Sequence, residues 1–347
     1  LVKKINLNSL YGALLNPGSR FNDPRLGQST TLTGRCIAKH MASELNRIIA
    51  GTYDHKGDAI VYGDTDSTYF SAYPVLKDQI DKGEINWDRD NIIAYYDAVC
   101  EEVNKTFPGF MNSAFHTSLE LGEIIAAGRE MVGSAGIFIT KKRYAMLVFD
   151  NEGKREDVDG KAGYIKAMGL DLKRSDTPPF MQDFLKDILL MVLTGATERE
   201  VIDTIIEFRK EFRQKAKWEM GTPKRVNNLT NHTKNFEKTG KCGVGHALAA
   251  INWNTLRKMY SDTHSMEITD GMKTIVCKLK TNPMNMNSIG YPTDEKRLPE
   301  WFKALPFDEE HMEETIISKK IDNLLSVLEW DLESSAAKNT FANLFEF

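Results

Sequence analysis

Apolar residues along this chain recur with more than one period, and the changes in period mark its elements. Leu32, Cys36, Ile37, Met41, Leu45, Ile48 and Ile49 fall near a 3.6-residue repeat. That predicts a helix over residues 28–50, with Gly51 as its stop signal. Ile60-Val61-Tyr62 and residues 67–71 then flank Gly63-Asp64-Thr65-Asp66, which predicts a β-hairpin closed by a tight acidic turn. Residues 90–107 have a helical pattern. Strands are expected at 137–140 and 143–149, followed by a turn at Asp150-Asn151-Glu152-Gly153. The texture changes after about residue 170. Thr177-Pro178 predicts a helix start, with Thr as N-cap and Pro in the first helical position. Phe180, Phe184, Leu185, Ile188 and Leu189 continue it as an apolar stripe. Thr197 and Glu200 have capping-box spacing ahead of Val201, Ile202, Ile205 and Phe208. Met312, Ile316, Ile321, Leu324, Leu325 and Leu328 form a last stripe. The pattern predicts an α+β first half and a mainly helical second half, meeting near Gly169, with no internal repeat.

Composition narrows the class. The 347 residues are 41% hydrophobic, 27% charged and 10% aromatic, which excludes a disordered or fibrous chain. The length suits roughly two domains of about 150 residues. No apolar run approaches the roughly 18 residues of a membrane span, so no membrane partner is expected. Cys36, Cys100, Cys242 and Cys277 show no paired C-x-x-C spacing. That argues against a disulfide framework or zinc site and points to a reducing, intracellular setting. The net charge of −4 hides an asymmetry. Residues 209–241 hold ten Lys/Arg against three Asp/Glu, and residues 307–347 hold three Lys against ten Asp/Glu. Taken alone, these are two solvated faces.

Three short segments carry candidate chemistry. In Tyr62-Gly63-Asp64-Thr65-Asp66-Ser67, two carboxylates sit one residue apart at a turn. Like charges this close repel and call for a cation or strong hydrogen bonds, and hard carboxylate oxygens suit Mg²⁺. Gly63 is expected to let the backbone turn; the plain alternative is an Asp-rich hairpin turn. On a helix, Lys4, Asn8 and Tyr11 share one stripe, a cation, an amide and an aromatic plane suited to a phosphate, a sugar and a base. The plain alternative there is a helix end capped by Gly12. Lys141-Lys142-Arg143-Tyr144 opens a strand with three cations and an aromatic, a set able to grip a phosphodiester backbone.

Together, in this order and at this spacing, the three segments resemble motifs of the family B DNA polymerases, most closely those of T-even-like bacteriophages. Lys4-x-x-x-Asn8-Ser9-Leu10-Tyr11-Gly12 is similar to the fingers motif, Tyr62 through Ser67 to the catalytic palm motif, and Lys141 through Tyr144 to the primer-template motif. The resemblance continues through Arg20-Phe21-Asn22-Asp23-Pro24-Arg25, Gly128-Arg129-Glu130, Met168-Gly169-Leu170 and Arg174-Ser175-Asp176-Thr177-Pro178 to the last residue. It implies an α+β fold: the end of the fingers (1–16), a partial palm with an antiparallel sheet and packed helices (17–170), and a mainly helical thumb with a clamp-binding tail (171–347). The implied reaction is addition of a deoxynucleotide (dNTP) to a primer 3′-OH, with two Mg²⁺ ions in the complete site.

By the same resemblance, Asp66 is the principal metal ligand, Asp64 supports the metal less directly, and Glu130 stands behind as a second carboxylate. Lys4 contacts the triphosphate, Asn8 orders that site, and Tyr11 packs by the nascent base pair. Lys141, Lys142, Arg143 and Tyr144 hold the primer-template DNA. The basic segment, with Lys224 and Arg225, falls where the thumb grips duplex. Phe341, Leu344, Phe345 and Phe347 form an apolar cluster expected to bind a sliding clamp, or else to fold back on the thumb. The setting implied is the cytoplasm of an infected bacterial host.

One departure matters. The family's other catalytic aspartate comes from a motif of the form D-x-x-S-L-Y-P, and the chain contains none. Tyr69-Phe70-Ser71-Ala72-Tyr73-Pro74 lacks the Asp-x-x-Ser lead. Asp64 and Asp66, neighbours on one strand, do not replace a carboxylate from another. The expectation is a chain inactive alone that works with an N-terminal partner half bearing the exonuclease and the rest of the palm and fingers. That half is expected either as a separate polypeptide or as an upstream continuation of the same one. The competing expectation is a catalytically silent module that binds DNA and clamp.

Overall fold

The computed structural model describes residues 2–326 and 328–330, and all of their side chains but that of Lys4. The chain folds as two compact units. Among the described residues, the first comprises 2–134, 140–142 and 148–164; the second comprises 135–139, 143–147 and those from 165 to 330. Helices and antiparallel sheets make up both, as the α+β reading expects.

In the first unit, α1 (Val2–Leu15) leads into α2 (Pro24–Ala50). Asp23 caps α2 by accepting from the Arg25 N–H, Pro24 opens it, and Gly51 ends it in the left-handed region at φ 80°. A hairpin of β1 (Ile60–Asp64) and β2 (Ser67–Phe70) follows, then α3 (Tyr73–Asp81), α4 (Arg89–Asn104), α5 (Phe107–Phe115) and α6 (Leu119–Gly122). The core joins Leu45 and Ile49 of α2, Val99 and Val103 of α4, and Phe107 of α5. Ile60 and Phe70 of the hairpin pack against it. Strand β3 (Met131–Thr140) turns at Lys141-Lys142 into β4 (Arg143–Asn151), and both strands contribute residues to each unit. β5 (Lys154–Arg155) and β6 (Tyr164–Met168) both pair with β4. The expected turn after β4 is present, with Glu152 at φ 50° and Gly153 at φ 84°.

The second unit continues with α7 (Pro179–Leu193) and α8 (Glu198–Arg213). The capping box forms as its spacing predicts, with Thr197 and Glu200 each satisfying the other's backbone N–H. Thr177 does not cap α7. The helix begins at Pro179, and the buried Thr177 hydroxyl instead accepts from the Lys320 ammonium at 2.8 Å. The second half is also less purely helical than its pattern suggests. β7 (Thr222–Arg225) is followed by α9 (Leu229–Thr239) and α10 (Gly245–Met259). β8 (Lys273–Lys278) and β9 (Ser288–Pro292) then complete a three-stranded antiparallel sheet in the order β7-β8-β9. Pro223 and Pro292 lie on its two edge strands, where a missing N–H is tolerated but where the sequence looks least like a strand. α11 (Glu300–Lys303) and α12 (Glu309–Glu313) lead through a π-helical turn, Glu314–Ser318, into α13 (Lys319–Leu325).

Candidate functional site

The acidic hairpin is placed by what lies beneath it. Ile60 pairs with Phe70, but Tyr62 pairs with Tyr69, so Val61 is an extra residue in β1. In a regular strand Ile60, Tyr62 and Asp64 would share a face. The bulge lets Ile60 pack with Phe70 against the core while Tyr62 and Asp64 take the opposite face, alongside Ser67 and Tyr69. Tyr62 and Tyr69 lean together there, ring centroids 5.6 Å apart. From below, Phe70 meets Tyr96 of α4 edge to face at 5.4 Å, and the Tyr96 hydroxyl accepts from the Ala72 N–H at 3.1 Å.

The lead into β1 hangs on one buried amide. Asn46 of α2 is fully buried. Its Oδ1 accepts from the Ala59 N–H at 3.0 Å, and its Nδ2 donates to the Thr52 carbonyl and hydroxyl, both at 2.8 Å. A Cβ on Gly57 would stand 2.1 Å from that Nδ2, so only glycine fits the passing loop. No role was expected of Asn46. The available signal was a polar residue inside the apolar stripe of α2, a position that demands partners.

At the tip, the turn consists of Thr65 and Asp66 alone, with Asp64 opposite Ser67. Gly63 lies within β1, and the left-handed residue is Thr65, at φ 53°. The expectation that Gly63 supplies the turn is thus corrected. A β-branched side chain takes that conformation instead, which stores strain of order 1–3 kcal/mol at the tip. Thr65 Oγ1 donates to Asp64 Oδ1 at 3.1 Å, and Ser67 Oγ donates to the Asp64 carbonyl at 3.0 Å. Asp66 is exposed. Against this face stands Lys142, itself left-handed at φ 62°. Its backbone N–H donates to the Tyr62 hydroxyl at 2.8 Å, and its ammonium lies 3.8 Å from Asp64 Oδ1.

The remaining predicted residues are dispersed. Asn8 is exposed on α1 and Tyr11 is half-buried there, while the Lys4 side chain lies outside the described residues. Glu130 is exposed, and its carbonyl accepts from the Glu152 N–H at 2.7 Å. Among the described residues, no three His, Cys, Asp or Glu side chains gather into a group able to hold a metal ion, so Glu130 does not join Asp64 and Asp66 in one. The basic tetrad is shared out: Lys141 and Lys142 belong to the first unit, Arg143 and Tyr144 to the second. Tyr144 is only 4% exposed and stacks on Phe138 at 5.4 Å, so its ring is a core element rather than an open face. Arg143 lines a small cleft with Lys320 and Asn323 over a floor of Leu170, Leu185 and Leu324.

The basic segment is partly neutralised within its own unit. Arg213 pairs with Glu313 at 2.8 Å, Lys217 with Glu309 at 2.6 Å and Lys224 with Asp176 at 2.9 Å. Arg174, and then Lys224, hold the Asp176 carboxyl far below its ordinary range despite its burial. Arg225 donates to the Gly271 carbonyl. Lys210, Lys234, Lys238 and Lys241 remain exposed, so they, rather than Lys224, are the segment's open cations. Phe341, Leu344, Phe345 and Phe347 lie outside the described residues.

The fold is α+β, and its hairpin lifts two neighbouring carboxylates on a strained turn beside a lysine, a set of hard oxygens suited to a divalent cation. Comparison with known families gives the family. A family model of DNA polymerase family B matches residues 109–326, and the chain belongs to that family. It is similar to the DNA-directed DNA polymerase of Enterobacteria phage T4, with 28% identity over 306 residues, 84% of this chain and 33% of that protein. The figures for the DNA-directed DNA polymerase of Escherichia phage RB69 are 28%, 84% and 32%. DNA polymerase II of Escherichia coli (strain K12) is 27% identical over 207 residues, 59% of this chain and 23% of its own. The chain spans about a third of the length of the two phage relatives.

Proposed function

We propose that this chain supplies the palm and thumb part of a replicative DNA polymerase that adds dNTPs to a primer 3′-OH. The observation that carries the reading is the Asp64–Asp66 turn, in a member of DNA polymerase family B, held clear of the core by the Val61 bulge. Hard oxygens on two neighbouring carboxylates, one of them already facing a cation, fit Mg²⁺. When bound, two such ions activate the 3′-OH and neutralise the leaving phosphates. Asp66, exposed at the tip, serves as the principal ligand, with Asp64 beside it and Glu130 farther back. Lys4 takes the triphosphate, Asn8 orders its site and Tyr11 packs by the new base pair. Lys141, Lys142 and Arg143 hold the primer-template. Lys210, Lys234, Lys238 and Lys241 add sequence-independent grip on its backbone. The tail from Phe341 to Phe347 takes a sliding clamp.

Two carboxylates at one hairpin tip form half of a two-metal site, so the other half comes from an N-terminal partner or segment. The surface of α1 supports such docking. Val2, Ile5, Leu7 and Leu10 are 70, 53, 68 and 57% exposed, apolar surface of the kind that docking covers. A second reading, a silent DNA- and clamp-binding module, draws on the absence of a three-acid group among the described residues. Primer extension separates the two. This chain mixed with an upstream half carrying its own aspartate extends a primer, and Asp66→Ala abolishes extension. Failure of the mixture favours the silent module, and extension by this chain alone overturns partner dependence.

A further inference from the structure

We propose that Lys142 is the resident counter-cation of the acidic turn, and that a divalent ion must displace it. Arrival of metal at Asp64 and release of Lys142 towards nucleic-acid phosphate are then one coupled event. The proposal rests on the reading of Asp64 and Asp66 as metal ligands. Its own support is the way Lys142 is held. The backbone of Lys142 is tied by its N–H to the Tyr62 hydroxyl, and Tyr62 is fixed in turn by the bulge and by Tyr69. The root of the side chain is therefore anchored at the acidic face, whereas its outer part is 62% exposed and free to swing away. At 3.8 Å the ammonium offsets the charge of Asp64. A second cation at Asp64 meets the first one there. Because coupling between two ligands is reciprocal, metal weakens the hold on Lys142 as much as Lys142 weakens the hold on metal.

The test uses Mn²⁺ alone, with binding to the full chain followed by proton relaxation. Lys142→Gln binds Mn²⁺ about two- to fivefold more tightly than wild type, the range set by an exposed ion pair. Lys142→Gly, suited to the left-handed backbone, behaves like Gln, and Lys142→Arg stays at the wild-type value. In an Asp64→Asn background the Lys142→Gln effect vanishes. Unchanged or weaker binding by both the Gln and Gly variants overturns the proposal while leaving the metal site standing. Mn²⁺ binding that survives Asp64→Asn together with Asp66→Asn overturns the site reading itself.

Discussion

Replacing Asn46 by Ala tests whether the hairpin is held from below. The substitution removes three hydrogen bonds of 2.8–3.0 Å from a fully buried side chain. Thr52 is exposed, so its carbonyl and hydroxyl recover water as partners. Ala59 has no exposed surface, and its N–H is left with nothing. An orphaned buried N–H costs about 1–3 kcal/mol, and each neutral bond exchanged for water about 0.5–1.5 kcal/mol. The orphaned N–H and the two exchanged bonds together come to about 2–6 kcal/mol. At about 1.4 kcal/mol per factor of ten, protection of the β1 amides from hydrogen exchange falls about 30- to 20,000-fold. Exchange measured by mass spectrometry on the peptide spanning residues 57–64 reads this directly, with α8 of the second unit as an internal control. A loss below about fivefold, or an equal loss in α8, refutes the reasoning, because it would mean that the apolar contacts of Ile60 and Phe70 place the strand without the amide.

Arg129→Met removes the cation that bridges Asp97 and Asp150 and leaves Asp150, with only 2% of its side chain exposed, unpaired in the interior. Urea unfolding should show a loss of about 3–5 kcal/mol, partly recovered by adding Asp150→Asn. His40 is buried between Tyr53 and Thr106 and stacked on Phe110, and burial lowers its pKa from the ordinary 6.5, with Glu44 pulling the other way. The neutral ring is the folded form, so its stabilisation is complete above pH 6.5 and is lost as pH falls through the lower folded value. A melting-temperature profile against pH should therefore drop below pH 6.5 for wild type and flatten in His40→Gln. In duplex-binding titrations, Lys238→Gln should reduce the slope of log affinity against log salt by about 0.9, while Lys224→Gln, already neutralised by Asp176, leaves it unchanged.

Where a local pairing decides the structure, the chain was legible from its sequence. Gly51 ends α2, Thr197 and Glu200 close the box on α8, and the turn at Glu152-Gly153 follows β4, because each depends on residues within four positions. Thr177 fails as a cap for the opposite reason, since its hydroxyl is claimed by Lys320, 143 residues away. The β7-β8-β9 sheet was hidden because its edge strands carry prolines and charges. Tyr144 sits beside three cations in sequence yet turns into the core, and Lys224 sits in a basic run yet meets an acid 48 residues upstream. The acidic turn itself was visible as a motif. The Val61 bulge that aims it leaves no period or spacing behind, and the Asn46 amide beneath it shows only as a polar residue inside an apolar stripe.

The hairpin shows why a strained tip and a rigid base belong together. Thr65 in the left-handed region works against the folded turn. A turn of that kind persists only if the strands below it are overdetermined, and here they are. Ile60 and Phe70 are packed in the core, Ala59 and Ala72 are each held by a side chain from a different helix, and Tyr62 is engaged by Lys142. The opposing term acts on the tip and the supporting ones on the base. Beside that tip the chain sets a cation, Lys142, tethered close by but largely in solvent. Such an arrangement brings an ammonium within reach of Asp64 without burying it.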